Sequence, residues 1–466
     1  MIRHPASFRD PAGFVFDADV RGVRLQPDRD VIRRAVTEYG LPHYQEVRAT
    51  GLIDRLIADG ALLPETRVGT SLDGHPDVRL VLEHPRLPLV SYPYEWPFAA
   101  LKAAALLHLD IQVQALDAGV VLTDATAYNV QFIGARPVFI DHLAFRPYRD
   151  GELWAAHRQF CEQFLHPLLL QSELGIEFQP WYRGRLEGIP GDALVRLLHL
   201  RHKCQFNVAL HVVLPARLQG MAGRPSTDAR LQKGRLSRAA LRELFLTFRR
   251  WIARLEPKGV DRTTWAGYDA AIPDEETAAI TSAVQQFVRE TGARRVWDLG
   301  CNAGKYCEAA LSAGADYVVG LDSDVGALEG AFARARDRHL RLTPLCIDLA
   351  NPTPAQGWLS AERESLLSRG PADALLALAV VHHIAIARNV PLEEVVTFLL
   401  RVAPQGMVGF VPPTDRRASA LFKGREEIFK GYTLARFVEV LGARARVVRQ
   451  QPLPGSDRVL LTYSAR

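Results

Sequence analysis

Cysteine is scarce and unpaired: Cys161, Cys204, Cys301, Cys307 and Cys346 are the five among 466 residues, and no two form a C-x-x-C. That pattern excludes a disulfide framework and a zinc site, so the thiols read as free and no metal is expected of them. Long apolar runs are missing too. The longest, Ala374 to Val381, stops at His382 and His383, and Met1 to Phe14 has no apolar core of a signal peptide. Neither a membrane span nor a secretory leader is expected, which makes a cytoplasmic protein without a membrane partner the expectation. Lysine is rare, seven of the 57 Lys and Arg, and this tilt reads as base composition of the genome rather than as chemistry. What is present is ordinary: 48% hydrophobic and 23% charged residues describe a folded chain, not a disordered one. The length allows two or three domains.

Charge and turn residues suggest where those domains divide. Residues 216 to 234 are rich in Gly, Pro and polar residues, without a sustained apolar period. A helix follows, with Leu241, Leu244, Leu246, Phe248, Trp251, Ile252 and Leu255 as its apolar stripe. The expected parts are 1–215, a basic helical linker 216–262, and 263–466. From Arg217 to Arg262 the cations Arg224, Arg230, Lys233, Arg235, Arg238, Arg242, Arg249, Arg250, Arg254 and Lys258 meet few acids. Such a stripe could neutralise nucleic-acid phosphates. With no aromatic platform among the charges, a solvated helical face explains it more simply.

Beyond residue 275 helix and strand alternate, the sign of a parallel α/β sheet. Strands are expected at 294–299, 316–322, 343–349, 373–381 and 406–411, with helices at 304–313, 325–338, 355–369, 391–403 and 433–442. The last two strands, 444–451 and 457–463, are joined by too few residues for a crossover and must pair antiparallel.

The stretch VWDLGCNAGKY, residues 296 to 306, then lacks two things. Lys305 stands where a dinucleotide loop G-x-G-x-x-G needs its third Gly, and Tyr306 follows Lys305 where a phosphate loop needs Ser or Thr. Neither phosphate cradle fits. What remains is a turn open to close ligand approach, with Asp298 before it to meet an amino group. Asp322 lies 24 residues on, placed to take ribose hydroxyls, and Asp348 is placed to meet an adenine amine beside the Leu349 backbone. Amino acid, ribose and adenine in a row, without phosphate, describe S-adenosylmethionine.

On these motifs residues 263–466 resemble the class I S-adenosylmethionine-dependent methyltransferases. The resemblance implies a Rossmann-like domain with a seven-stranded sheet ending in an antiparallel hairpin. It also implies a cofactor site of Asp298, Gly300, Asn302 and Gly304 in the first motif, Asp322 and Ser323 at the ribose, Asp348 and Leu349 at the adenine, and Ala379 within the fourth-strand motif ALAVVHH. His382 or His383 would be a base working near neutral pH where the acceptor must lose a proton, or both merely cap the strand. The N/D-P-P-Y/F tetrapeptide of base and amide N-methyltransferases is absent, which disfavours nucleic-acid amino groups, and Gly409-Phe410 replaces an expected acid in the fifth strand. Residues 263–269 (TTWAGYD) would form a lid or pack.

In the N-terminal half, LTDATAYNVQFIGARPVFIDHLAF sets Asn129 five residues after Asp124 and Asp141 twelve further on. This resembles the catalytic and metal loops of protein kinases and aminoglycoside phosphotransferases, which implies a kinase-like α+β domain of binding or regulatory role, with ATP and magnesium; the alternative is an unrelated helical substrate-binding domain. A helix over Ala99 to Leu116, a hairpin of VQFIG with RPVFID, and a hinge at SYPYEW (91–96) agree. A Gly-rich loop does not exist, no Lys precedes Lys102, and Leu122 and Thr123 precede Asp124; Arg24 could replace the missing cation's charge but not its geometry. The whole chain is similar to a two-part bacterial family labelled only as methyltransferase. Three functions follow: methylation of a small-molecule acceptor, a bifunctional enzyme with an ATP-dependent phosphotransferase half, and nucleic-acid methylation through the basic stripe.

Overall fold

A computed structural model describes residues 2–3, 10–17, 31–219, 236–263, 273–415, 418, 421, 423–425 and 427–466. Arg24, Arg224, Arg230, Lys233, Arg235 and the segment from Thr264 to Asp269 lie outside the described residues. The chain forms two compact units, one of 1–132, 136–258 and 356–363, the other of 133–135, 259–355 and 364–466.

The second unit is a seven-stranded sheet: β1 (Arg295–Leu299), β2 (Tyr317–Asp322), β3 (Leu342–Cys346), β4 (Ala374–Ala377), β5 (Gln405–Phe410), β6 (Ala445–Pro452) and β7 (Val459–Ala465). Their order is β3-β2-β1-β4-β5-β7-β6. β1 to β5 are parallel, and β7 runs antiparallel to both β5 and β6. The parallel strands read as apolar runs because helices cover both faces. Helix Asp274–Thr291 buries Ile280, Val284, Phe287 and Val288, as its 3.6-residue period requires. Three acids in its first turn, Asp274, Glu275 and Glu276, suit the positive end of the helix dipole. It ends on Gly292 at φ 61°, a left-handed conformation that glycine adopts without strain. The α/β architecture and terminal hairpin are therefore as expected.

Three expectations fail locally: β4 ends at Ala377, four residues earlier than expected, so Ala379, His382 and His383 lie beyond the strand. Residues 355–369 form no helix, only the short turns Trp358–Ser360 and Leu367–Arg369 joined by a bridge between Gln356 and Arg363. Pro352 and Pro354 lie just before the segment and Gly357 interrupts it, and Trp358 and Leu359 stand 62% and 84% exposed, so no apolar stripe exists for a helix to bury. β3 ends at Cys346, three residues earlier than expected, which puts Asp348 in the following loop.

The N-terminal unit is α+β. Its antiparallel sheet runs, in spatial order, Ile2–Arg3, Gly13–Asp17, Val31–Thr37, Val78–Pro85, Thr66–Gly69, around a core of Phe14, Phe16, Ala35, Leu72, Val78 and Val81. Helices Leu41–Ala49 and Leu52–Ala58 link its third and fourth strands in sequence. The expected helix spans Phe98–Asp117, and Val130–Ile133 pairs with Arg136–Phe139 as the expected two-stranded ribbon. Helix Arg238–Ala253 buries Leu241, Phe245, Phe248 and Ile252; Leu244, Leu246 and Trp251 of the expected stripe are half-buried. Its Arg242 and Arg249 pair with Asp117 and Asp110 on helix Phe98–Asp117. Two cations of the basic stripe are thus engaged within their own unit. No described helix is long and apolar enough to cross a membrane.

Candidate functional site

The C-terminal ends of β1 to β4 open on a cavity of about 450 Å³. Its floor is the turn after β1. Gly300 has φ 79° and Asn302 φ 47°, left-handed geometry that a β-branched residue would not tolerate. Gly300 and Cys301 donate their amides to the Leu321 carbonyl at 2.7 and 3.1 Å, tying the turn to β2. The Asn302 amide donates 2.8 Å to Asp322 Oδ2, and the Asp324 amide 2.9 Å to Oδ1. Burial pushes the Asp322 carboxyl above its usual range, opposed by those amides. Asp348 has its Oδ1 on the Ala350 amide at 2.9 Å and its Oδ2 on Arg388 Nη2 at 3.1 Å.

Seven of the expected cofactor residues line this cavity: Gly300, Asn302, Asp322, Ser323, Asp348, Leu349 and Ala379. The other two lie behind its wall. Asp298 is 1% exposed and its Oδ2 accepts a 3.1 Å hydrogen bond from the Cys307 thiol. Gly304 caps helix Lys305–Ser312 at φ 76°, and a Cβ there would come within 2.9 Å of Leu342. Both shape the turn from beneath. Cys307, read as a plain free thiol, is a partner the sequence did not reveal; its place one helical turn into the helix after Asp298 is the signal that was available.

His383 lines the cavity and His382 does not. Their rings lie 4.0 Å apart. Burial and the Arg458 cation push His383 down to about 4. Burial, His383 and Arg458 push His382 to about 2 against the pull of Asp415. Both imidazoles are therefore neutral at neutral pH, and a base titrating near pH 7 is not what the surroundings produce. His382 Nδ1 has no hydrogen-bond partner among the described residues. Arg458 is itself buried, with Asp415 at 2.7 Å and Glu276 at 3.5 Å. The expected acid in β5 is absent for a steric reason: a Cβ on Gly409 would sit 1.9 Å from the Leu378 carbonyl oxygen. Phe410 instead stacks on Tyr432 at 4.9 Å and lines a second cavity of about 380 Å³ with Pro412, Phe429 and Asp457.

In the N-terminal unit the other three residues also converge. Asn129 Nδ2 lies 3.4 Å from Asp124 Oδ2 and 3.3 Å from Asp141 Oδ2. Asp124 Oδ1 further accepts from Gln159 Nε2 at 2.7 Å and the Thr126 amide at 3.1 Å. Burial, and then the Asp141 charge, raise the Asp124 carboxyl. Arg34, in strand Val31–Thr37, lies 2.9 Å from Asp141 Oδ1 and 2.6 Å from Asp10 Oδ2 and is 8% exposed. Arg34 is a buried cation beside these acids that the sequence reading did not single out. The carboxylate and amide oxygens are the hard donors magnesium takes; the Arg34 guanidinium already occupies part of that charge.

Strand order β3-β2-β1-β4-β5-β7-β6 with a ligand cavity at the first βα turn defines the C-terminal unit as a methyltransferase domain of the class I fold. The chain belongs to the family of nodulation protein NoeA. It is 42% identical over 471 residues to that protein of Rhizobium meliloti (strain 1021), an alignment covering 99% of this chain and 96% of the other. No protein-family model matches the chain. Among solved structures, it is similar to the N-methyltransferase NodS from Bradyrhizobium japonicum WM9 over 41% of this chain and 97% of that one, at 12% identity and TM-score 0.31. It is also similar to magnesium protoporphyrin IX methyltransferase (ChlM) from Synechocystis PCC 6803 with bound SAM, over 41% and 80%, at 17% identity and TM-score 0.29. The fold assignment rests on the strand order, not on these scores.

Proposed function

We propose that the chain is an S-adenosylmethionine-dependent methyltransferase acting on a small-molecule acceptor, and that, like the relative whose name says so, it serves in nodulation. One observation carries the reading: Asp322 at the end of β2 and Asp348 in the loop after β3 face one cavity, beside a left-handed turn that brings backbone within reach of a ligand. Asp322 would hold the ribose hydroxyls, Asp348 and the Leu349 backbone the adenine. The bound cofactor supplies an electrophilic methyl, so the protein's task is orientation and exclusion of water. His383, neutral and on the cavity wall, would accept a hydrogen bond from the acceptor rather than hold its proton at neutral pH. The aromatic cavity beyond β5 would take the acceptor's apolar part.

Titration calorimetry tests this. The wild type binds S-adenosylmethionine, and Asp322→Ala weakens it about 10- to 100-fold, the worth of one or two hydrogen bonds to a charged group. Equal affinity in the variant refutes the assignment. A second reading, an ATP-dependent phosphotransferase half, is favoured by the convergence of Asp124, Asn129, Asp141 and Arg34; magnesium-dependent ATP binding that Asp141→Asn abolishes is its requirement.

A further inference from the structure

The N-terminal unit carries a surface that neither site uses. Among the described residues fourteen large hydrophobic side chains are exposed, and five of them fall within eighteen residues: Leu197, Leu200, Phe206, Leu210 and Leu214. Leu200 and Phe206 are each 76% exposed, on one-turn helices Leu200–Lys203 and Phe206–Val208. Phe206, Leu210 and Leu214 follow at four-residue spacing along a continuous helical run to Gln219, so they share a side. The same run buries Val208, Val212 and Val213 on its inner side. A surface helix normally turns polar residues outward; apolar residues on both sides call for a cover. Scattered exposed leucines need no explanation, but a cluster does.

The charges around the cluster say what that cover is. From Ala193 to Leu218 the chain has no Asp or Glu, while Arg196, Arg201, Lys203 and Arg217 lie along it. Arg196, Arg201 and Arg217 are exposed; one acid, Asp192, pairs with Arg196 at the edge. Projecting leucine and phenylalanine flanked by more cations than acids is the pattern of an interfacial segment, with apolar groups for the acyl boundary and cations for anionic headgroups. We propose that Gly191 to Gln219 docks the protein on the surface of an anionic lipid membrane. The sequence-based expectation of no membrane partner rested on the lack of a span, which peripheral docking does not need.

Co-sedimentation of the full chain with vesicles of equal parts phosphatidylcholine and phosphatidylglycerol, against phosphatidylcholine alone, tests the proposal. The wild type should partition onto the anionic vesicles and more weakly onto neutral ones. Arg201→Gln and Lys203→Gln should each weaken partitioning about fivefold. Leu200→Glu with Phe206→Glu should weaken it by about tenfold or more, since both side chains lose their apolar burial. Leu200, Arg201 and Phe206 are exposed and Lys203 is half-buried, and unchanged circular dichroism and S-adenosylmethionine binding confirm an intact fold. Partitioning that the Glu pair leaves unaltered, or a wild type that ignores anionic vesicles, overturns it. So does a wild-type dimer in sedimentation velocity that the Glu pair dissociates without any vesicle binding, which would make the cluster a contact between copies of this chain.

Discussion

Both units bring acids together on loops, but they treat them differently. In the C-terminal unit Asp322 and Asp348 face a cavity, and their protein partners are mostly backbone amides. In the N-terminal unit Asp124 and Asp141 each take one backbone amide, from Thr126 and Leu143, but add side chains on both: Asn129 between them, Gln159 on one and Arg34 on the other. Backbone amides are fixed by the turn whether or not a ligand comes, so they preorganise a carboxylate while leaving its outer face free. Side-chain partners close the acids on one another, and a ligand must displace them. One acid set is shaped as a socket, the other as a clasp.

The largest effect should come from opening the clasp. Arg34→Met leaves Asp10 and Asp141 facing each other in a buried site, and removing one partner of a buried ion pair costs about 3–5 kcal/mol. Thermal or denaturant unfolding should show the loss, with Arg34→Lys recovering part of it. An unfolding midpoint like that of the wild type would mean that the pair is not formed in solution. Next comes selectivity between the two sites. Asp141→Asn should leave S-adenosylmethionine affinity within about twofold, because sites with no shared partners act independently. Calorimetry on that variant showing a tenfold loss would erase the distinction between the units.

Acid should separate them further. Burial lowers His84, His108, His166 and His211 to about 4, 3, 4 and 4, and lowers His157, all in the N-terminal unit; in the C-terminal unit the lowered histidines are His382 and His383. Their folded values lie under the unfolded value of about 6.5, so the unfolded chain takes up protons first as the pH falls. Each withdraws up to about 1.4 kcal/mol per pH unit between pH 6.5 and about 4. Asp10 and Asp124, whose carboxyls are raised, act in the opposite sense but are only two against six, His202 being lowered by burial as well. Hydrogen exchange at pH 5 should find the N-terminal unit opening first; a C-terminal unit that opens first contradicts the sign.

How much of this the sequence could show depends on the kind of interaction. Parallel strands buried on both faces leave apolar runs, and the turn after β1 leaves its glycines, so sheet and cavity were legible. The absent helix at 355–369 shows the limit, since polar residues between prolines carry no period to read. Arg34 carries no motif that marks it as a partner of Asp141, 107 residues away in sequence. Consecutive arginines in VIRRAVT must point to opposite faces of a strand, and here Arg33 meets Glu83 while Arg34 turns inward to Asp141. Burial of Asp298 could not be read from its position, because a strand-end carboxylate points into the cleft or under it according to a side-chain rotation that leaves no trace in spacing.

The smallest expected effect sharpens the comparison from the socket's side. Arg388 pairs with Asp348 as Arg34 does with Asp141, at 3.1 and 2.9 Å. Arg388 is 59% exposed and Asp348 36%, against 9% and 14% for Arg34 and Asp141. Water screens the exposed pair and already solvates either charge alone, so Arg388→Met should cost no more than about 1 kcal/mol of stability. Its consequence should appear in binding instead. Without the guanidinium, Asp348 Oδ2 is free to meet a cavity ligand, and S-adenosylmethionine affinity should hold or rise slightly if the carboxylate is an acceptor for the adenine amine. A marked loss of affinity with unchanged stability would show that Arg388 positions Asp348, and that the socket depends on a side-chain clasp of its own.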